Sequence, residues 1–257
     1  MDLKPCIVKA TSPEDLHSKF RQFLIQQIKT AALSDQEKMT IGVSGGSMPK
    51  LVCEVFKTIK EQDIDYSLKK IFFFACDERL VPLDAVDSNT GAYLRLLPDE
   101  LKRNFAPFVN HIDASKCADE YERALLEWKP HTDGPWPVFD LLLLGMGPDG
   151  HTCSLFPSHP LIQEESLWVA PIEDSPKPPS RRITITLPVI NNAKQVAFIA
   201  TGSGKEAIIK AVIEDKDPKF PSSLVQPVRN PVTWFVDEES GKQLSAGTVS
   251  GYGCSSP

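Results

Sequence analysis

The sequence predicts a single-domain α/β protein with a mostly parallel β-sheet and helices on both faces. Two patterns carry this prediction. Short apolar segments alternate along the chain with longer segments in which apolar residues recur at helical spacing. The 257 residues suffice for one large domain, and no linker-like stretch divides them. Residues 1–244 are therefore expected to form the domain, and the small, polar segment 245–257 is expected to be a disordered tail.

Composition excludes several classes of protein. Hydrophobic residues make up 41% of the chain and charged residues 24%, as in ordinary water-soluble domains. No apolar run approaches the ~18 residues of a membrane span. The net charge of −6 argues against nucleic acid or an anionic membrane as a partner. The amino terminus has no basic region followed by an apolar stretch, so no secretion signal is predicted and the cytoplasm is the expected location.

The cysteines are predicted to be reduced thiols that serve packing. None forms a C-x-x-C pair, and several lie in apolar segments. His151 and Cys153 are not accompanied by a second ligand cluster at a zinc spacing, so no metal site is expected. The six cysteines are Cys6, Cys53, Cys76, Cys117, Cys153 and Cys254.

A helix and a strand open the chain and lead to a possible phosphate site. Ser12 and Pro13 mark the start of a helix that is expected to run to about residue 33. The strand 39–43 then enters the turn Ser44, Gly45, Gly46, Ser47, and a helix opens near residue 49. Free N–H groups and the positive end of a helix dipole suit a phosphate. A tight turn that merely needs glycine is the alternative, but the two serines favour the anion site.

The third strand, residues 71–76, delivers Asp77, Glu78 and Arg79 at its carboxyl end. Charged triplets usually lie on a solvated surface. This one follows a fully apolar strand, so it is expected at the sheet edge where open α/β sheets bind ligands. Helices are predicted over residues 89–97 and 117–128, with no chemistry assigned to them.

The central segment, residues 139–157, is where the sequence best predicts chemistry. Four leucines at 141–144 are typical of a strand buried on both faces, and the glycine-rich turn 145–150 follows at once. Glycines let the backbone approach a ligand, and Asp149 and His151 can move or steer a proton.

The same turn also spells G-x-G-x-x-G, the fingerprint of dinucleotide binding. The context disfavours that alternative, because Asp149 would face the pyrophosphate and Pro157 shortens any following helix. The segment also lies in the middle of the chain, outside an opening βαβ unit.

Two later loops carry positive charge. The proline-rich loop 173–180 ends at Arg181 and Arg182, which enter the strand 183–187 and could clamp a phosphate, although such loops are often plain connections. The strand 195–200 leads to a glycine-rich loop and to Lys205 at the start of a helix. That loop lacks the full P-loop spacing, but a lysine at a helix start favours an anionic ligand. A last strand over residues 231–236 and a last helix over residues 237–244 complete the prediction.

Five motifs together resemble the glucosamine-6-phosphate isomerase/6-phosphogluconolactonase family, and its lactonase branch in particular. They are SGGSMPKL, CDERLVP, FDLLLLGMGPDGHTCSLFP, SPKPPSRRITITLPV and TGSGK, in one order along the chain. The resemblance implies a Rossmann-like, NagB-type fold and hydrolysis of 6-phospho-D-glucono-1,5-lactone to 6-phospho-D-gluconate in the oxidative pentose phosphate pathway. It further implies a cytoplasmic enzyme with no cofactor and no metal, and we expect a monomer.

Two alternatives remain beside hydrolysis. Deaminases of the family continue the glycine–histidine motif with an asparagine and a glutamate that serve ring opening, whereas this chain has Leu155 and Phe156 there. The missing acid favours the lactonase. A non-catalytic sugar-phosphate binding protein is the other alternative, and the presence of both His151 and Arg79 counts against it.

The residues allow a set of expected roles. His151 is the expected general base, because a neutral imidazole accepts a proton near neutral pH. Asp149 would orient the imidazole or bind a sugar hydroxyl, and Asp77 would bind hydroxyls or act as the base instead. Arg79 would stabilise the oxyanion. The expected phosphate ligands are Ser44, Gly45, Gly46, Ser47, Arg182 and Lys205, with Arg181 as the substitute for Arg182.

Overall fold

Strands and helices alternate along most of the chain in the computed structural model, which describes residues 3–33, 38–61, 68–108, 110, 113–128 and 131–248. The strands are β1 (Cys6–Ala10), β2 (Met39–Val43), β3 (Ile71–Ala75), β4 (Asp77–Arg79), β5 (His131–Asp133), β6 (Trp136–Val138), β7 (Leu141–Gly145), β8 (Val169–Ile172), β9 (Arg182–Ile185), β10 (Val196–Ala200) and β11 (Thr233–Asp237). The helices are α1 (Pro13–Ala32), α2 (Met48–Glu61), α3 (Asn89–Leu96), α4 (Asp99–Lys102), α5 (Ala114–Glu127), α6 (Leu187–Asn191) and α7 (Glu206–Ile213).

The main sheet is parallel throughout, as predicted. Its six strands lie in the order β1-β11-β10-β7-β2-β3, and each neighbouring pair is parallel. Strand β7 lies between β10 and β2, where Leu143 pairs with Val43 on one side and Ala197 on the other. All four leucines of β7 are fully buried. A strand covered on both faces needs such an uninterrupted apolar run.

Helices cover both faces of the sheet, which also confirms the prediction. Successive side chains of β3 point to opposite faces. Phe73 meets Phe56 of α2 edge-on at 5.2 Å between ring centroids, whereas Phe72 and Phe74 meet Trp128, which follows α5, at 5.2 and 6.1 Å. Helices α2 and α5 therefore pack on opposite faces.

A second, antiparallel sheet was not predicted. It has three strands in the order β4-β9-β8, and its register pairs Arg79 with Arg182 and Asp77 with Thr184. The charged triplet that follows β3 therefore does not simply end in a loop, because it continues as β4. This sheet places the triplet beside the strand entered by the arginine pair. A short hairpin of β5 and β6 precedes β7.

One strand was missed, and two local predictions require correction. Strand β1 at the edge of the main sheet was not predicted. The predicted strand 183–187 ends at Ile185, and α6 begins at Leu187. The predicted last helix over residues 237–244 is wrong, because that segment forms turns. Ser240 N–H donates to Asp237 Oδ1 at 2.8 Å and Asp237 N–H donates to Ser240 Oγ at 3.1 Å, which offers the backbone an alternative to the helix.

The first residues of the expected tail contact Glu214, the residue that follows α7. Ser245 N–H and the Thr248 hydroxyl both donate to Glu214 Oε1 at 2.6 Å. The rest of the expected tail, residues 249–257 with Cys254, lies outside the described residues. In the described segments, none of the helices combines the length and the apolar composition that a membrane crossing requires.

Candidate active site

The turn after β7 forms at the carboxyl edge of the main sheet. Gly147 N–H donates to the His151 carbonyl at 2.9 Å, and Gly150 N–H donates to the Gly147 carbonyl at 3.0 Å. Gly150 has φ +77°, a conformation that favours glycine. No α-helix follows this turn before residue 187 in the described chain, and the first helical residues are a single 3₁₀ turn, Pro160–Gln163. The glycine pattern therefore lacks the helix that a dinucleotide-binding unit requires.

His151 lies beside the carboxylate of Asp149 and the ammonium of Lys177. Its Nδ1 is 2.5 Å from Asp149 Oδ1, and Lys177 Nζ lies 3.0 Å from the same oxygen and 3.2 Å from Nδ1. The ring packs on Phe156 at 4.7 Å between centroids. Because a carboxylate only accepts hydrogen bonds, the short contact assigns the proton to Nδ1 and leaves Nε2 as the proton acceptor.

The groups of this cluster shift the pKa values of His151 and Asp149. Burial lowers the pKa of His151, although the hydrogen bond and the negative charge of Asp149 act in the opposite direction. Burial would raise the pKa of Asp149, but hydrogen bonds and positive charge from His151 and Lys177 lower it to about 2. At neutral pH Asp149 is therefore ionised, and a neutral His151 imidazole is favoured.

Asp77 is buried a short way from this cluster. Its Oδ2 accepts from Ser154 Oγ at 2.8 Å, and its Oδ1 accepts from Asn89 Nδ2 at 3.3 Å. Asn89 Nδ2 also donates to the Asp77 carbonyl at 2.8 Å. The Asp77 carboxylate is thus held by two neutral side chains, and its negative charge also acts on His151.

The two arginines next to Asp77 differ in their partners. Arg182 is 2% exposed, and it donates to the carbonyls of residues 177, 178 and 179 and to Ser154 Oγ. Arg79 donates from Nη1 to the Asp87 carbonyl at 3.0 Å, and its Nε is 4.0 Å from Asp77 Oδ2. The buried Nε of Arg79 makes no hydrogen bond within the described part of the chain. Arg181 is half-buried.

Glu78 belongs to the charged triplet, but its carboxylate binds N–H groups at the start of α3. It is fully buried, and its two oxygens accept from the N–H groups of Arg79, Asn89 and Thr90 at 2.8, 2.8 and 2.6 Å and from Ser88 Oγ at 3.3 Å. A carboxylate at the amino end of a helix satisfies free N–H groups and complements the dipole. This bonding explains why an acidic side chain is tolerated in the interior.

The loop after β2 has the features expected of an anion site. Gly46 has φ +68°, both Gly46 and Ser47 are exposed, and α2 has no acidic residue in its first turn. Ser44 is buried, and its Oγ makes no hydrogen bond in the described residues. A β-carbon on Gly45 would lie 1.8 Å from Asn89 Oδ1, so a side chain here would displace the Asn89 amide at the start of α3.

The loop after β10 lies near the loop after β2 and near the cluster of His151, Asp149 and Lys177. Ser47 and Thr201 line one cavity of about 590 Å³. Lys205 is half-buried at the start of α7, where burial lowers its pKa, Asp237 acts to raise it and Lys177 to lower it. The charges of Lys177 and Lys205 therefore act on each other, and each lysine also has a carboxylate acting on it, Asp149 on Lys177 and Asp237 on Lys205.

Sequence reasoning missed three residues of this site: Lys177, Asn89 and Ser154. Lys177 stands in the quoted motif SPKPPSRR, but no spacing indicates that it reaches a histidine 26 residues away. Asn89 lies in a predicted helix to which no chemistry was assigned, and Ser154 lies in the central segment 139–157 but was given no role of its own. Across the described ranges, His, Cys, Asp and Glu side chains do not form a group of three or more that could hold a metal ion.

Comparisons with known proteins give a consistent result. The family model described as glucosamine-6-phosphate isomerases/6-phosphogluconolactonase matches residues 11–234. The rat 6-phosphogluconolactonase is 39% identical, over 91% of this chain and 92% of its own. The probable 6-phosphogluconolactonase of Schizosaccharomyces pombe is 40% identical, over 94% and 97%. The solved 6-phosphogluconolactonase of Trypanosoma brucei superposes with a TM-score of 0.78 at 27% identity, over 95% and 100%.

These matches extend along nearly the whole domain and confirm the resemblance drawn from the motifs. Every region of the site lies within the matched residues, from Ser44 to Lys205. The fold of this chain agrees with that of the solved relative. The chain therefore belongs to the glucosamine-6-phosphate isomerase/6-phosphogluconolactonase family.

Proposed function

We propose that this chain hydrolyses 6-phospho-D-glucono-1,5-lactone to 6-phospho-D-gluconate, the lactonase step of the oxidative pentose phosphate pathway, without cofactor or metal. The observation that carries the proposal is the His151–Asp149 contact of 2.5 Å, in a chain 39% identical to a 6-phosphogluconolactonase. A neutral imidazole fixed by a carboxylate is the group that activates water for attack on an ester.

In the proposed mechanism, His151 Nε2 accepts a proton from a water molecule as the water oxygen bonds to C1 of the lactone. The tetrahedral intermediate then collapses, the bond between C1 and the ring oxygen breaks, and the imidazolium returns its proton to that oxygen. Asp149 stabilises the imidazolium through Nδ1. A base of this kind contributes about 10²–10⁴-fold to the rate.

We propose that Arg79 stabilises the carbonyl oxygen as it becomes negative. The Arg79 side chain is 23% exposed, and its buried Nε makes no hydrogen bond to the described residues. Preorganised positive charge at a developing oxyanion is among the largest contributions to catalysis. We assign Asp77 to substrate hydroxyls and not to proton transfer, because Ser154 and Asn89 already hold its carboxylate.

The 6-phosphate is proposed to lie between the loops after β2 and β10. Gly45, Gly46 and Ser47 would offer N–H groups and a hydroxyl, Ser44 would line the turn, and Lys205 would supply charge. Arg182 is engaged by four oxygen atoms, so we propose that it supports the loop and that Arg181 is the arginine of the pair nearer to the phosphate. Phosphate binding remote from C1 would fix the reacting end.

The proposal extends to the protein's setting. Cys6, Cys53, Cys76, Cys117 and Cys153 are buried and form no disulfide within the described residues, which is typical of a reducing compartment. We therefore propose a cytoplasmic enzyme. We also propose that it works as a monomer and, because its net charge is −6, that it binds neither nucleic acid nor anionic membranes. Sedimentation equilibrium at micromolar concentration measures the molecular mass in solution and so tests directly whether the protein is a monomer.

The test is proton release from freshly prepared lactone, corrected for spontaneous opening in the same buffer. Release far above the buffer rate is expected, with no ammonia formed from glucosamine 6-phosphate in a parallel assay. The second arm tests the deaminase alternative. The buried apolar Leu155 and Phe156 disfavour it, and Phe156 packs against the His151 ring. Binding of 6-phosphogluconate without any hydrolysis would contradict the proposal and indicate a sugar-phosphate binding protein.

A further inference from the structure

We propose that Lys177 is a positioning residue that keeps the His151–Asp149 pair ready to accept a proton, with the imidazole neutral and its Nδ1 held by the carboxylate. This inference rests on the proposed function. It adds a third member to the proton-accepting group, from a loop that sequence reasoning treated as a possible plain connection.

The geometry places one carboxylate oxygen between two donors. Asp149 Oδ1 lies 2.5 Å from His151 Nδ1 and 3.0 Å from Lys177 Nζ, and the two nitrogen atoms are 3.2 Å apart. An ammonium has no lone pair to offer, so Lys177 donates to Asp149 and merely approaches Nδ1. A positive imidazolium at that distance from an ammonium is disfavoured, whereas a neutral imidazole is tolerated.

Lys177 therefore opposes the effect of Asp149. A carboxylate this close to an imidazole favours the protonated ring, and Asp77 acts in the same direction from β4. An imidazole that is already protonated cannot accept a proton from water. The charged groups that act on His151 are Asp149 from its own turn, Asp77 from β4 and Lys177 from the loop before β9. Lys177 is the positive one among them.

Hydrogen bonds to its backbone carbonyls hold the loop that carries Lys177 in place. Arg182 Nη2 donates to the Lys177 carbonyl at 2.8 Å and to the Pro178 carbonyl at 3.2 Å, and its Nε donates to the Pro179 carbonyl at 2.8 Å. Ser175 Oγ also donates to the Lys177 carbonyl at 2.9 Å. A flexible lysine stem rooted in a fixed backbone holds its ammonium at a defined place with less loss of entropy.

The same guanidinium supports the imidazole. Arg182 lies over the ring of Phe156, with 5.5 Å from its central carbon to the ring centroid, and His151 packs on the same ring. One buried arginine thus connects the backbone of Lys177 to the ring on which His151 packs. This arrangement gives Arg182 a structural reason to be buried and fully engaged.

The test compares Lys177→Met with Lys177→Arg and the unaltered enzyme. The pKa of His151 is measured by NMR of the ¹⁵N-labelled imidazole, with His151→Gln to identify the resonance, and kcat/KM for the lactone is measured across pH. With Lys177→Met we expect the imidazole pKa to rise by roughly 0.5–1 unit and the acid limb of kcat/KM to move up equally. Lys177→Arg should restore both values. Lys177→Gln replaces the methionine variant if that variant does not fold.

An imidazole pKa that stays the same or falls in Lys177→Met would overturn the inference. So would a Lys177→Arg variant whose imidazole pKa and pH profile match those of Lys177→Met. The NMR titration needs no substrate, so the two proposals can fail separately. An unmoved imidazole pKa in an active lactonase contradicts only the role of Lys177. Absence of lactone hydrolysis in the unaltered enzyme contradicts the proposed function and, with it, any catalytic meaning of this contact.

Discussion

The imidazole of His151 occupies the space that the missing side chain of Gly147 leaves open. A β-carbon built on Gly147 would lie 2.1 Å from both Cε1 and Nδ1 of the His151 ring and 2.7 Å from Asp149 Oδ1. Real β-carbons do not approach other atoms so closely. The glycine at position 147 is thus required by the contact between His151 and Asp149, and not by the backbone conformation of a dinucleotide-binding turn.

Gly147→Ala is expected to displace the imidazole while the sheet stays folded. A misplacement of about 1 Å at a catalytic group can cost about 10²-fold in rate, so kcat should fall by that order. The measurement is the initial rate of proton release at saturating lactone, with circular dichroism to check folding. Gly145→Ala is the matched control, because a β-carbon there would meet nothing within 4 Å. Equal activity of both variants would contradict this role for Gly147.

Lys205→Met is expected to weaken substrate binding more than turnover. Loss of a hydrogen bond between charged groups removes about 1.5–3 kcal/mol, which corresponds to roughly a 10- to 100-fold rise in KM. The value of kcat should change by no more than about threefold. Lys210→Met, on the same helix but paired with Asp215, is the control and should leave both constants near their normal values. An unaltered KM in Lys205→Met would remove Lys205 from the phosphate site.

The Asp149 carboxyl should titrate far below an ordinary aspartate. Hydrogen bonds and charge from His151 and Lys177 outweigh the effect of burial and lower its pKa from 3.8 to about 2. The folded-state pKa is depressed, so the stabilisation from Asp149 is complete above pH 3.8 and is lost as the pH falls toward about 2. NMR of the side-chain carboxyl carbon, identified with Asp149→Asn, gives the midpoint directly. A midpoint at or above 3.8 would contradict the contact network.

Glu78→Gln tests the distinction between structural and catalytic carboxylates. A glutamate has two acceptor oxygens, whereas a glutamine has one oxygen and one NH₂ group. In the variant, the backbone N–H groups that now donate to the second oxygen would therefore face another donor. An unsatisfied buried donor costs about 1–3 kcal/mol of unfolding free energy. Urea unfolding measures the loss, and the exposed Glu165→Gln provides the control. A stability equal to that of the control would show that Glu78 does not cap α3.

Five of the six strands of the main sheet were predicted, because local composition defines them, whereas the edge strand β1 was missed. Four consecutive leucines followed by glycines have few alternatives to a buried strand, and the cap formed by Ser12 and Pro13 fixed the start of α1. The predicted helix at 237–244 failed, because Asp237 and Ser240 bond to each other's backbone, and helical spacing does not reveal that competition.

The site was predictable in part only. The residues at strand ends were found because parallel strands bring their carboxyl ends to one edge. Lys177 and Ser154 were missed because their roles depend on contacts between distant loops, and those contacts depend on the unpredicted pairing of β4 with β9. That pairing also buries Arg182. The two adjacent arginines look alike in the sequence, so it does not show that Arg182 rather than Arg181 is the buried one.

The most direct test of the account is the turnover of His151→Gln on fresh lactone, measured beside His159→Gln. His159 contacts Asp174 at 3.1 Å, outside the proposed machinery, and its variant should retain normal turnover. We predict that His151→Gln lowers kcat by at least about 100-fold and leaves KM within a few-fold of normal. A kcat close to that of the unaltered enzyme would contradict the assignment of His151 and move the general base to Asp77.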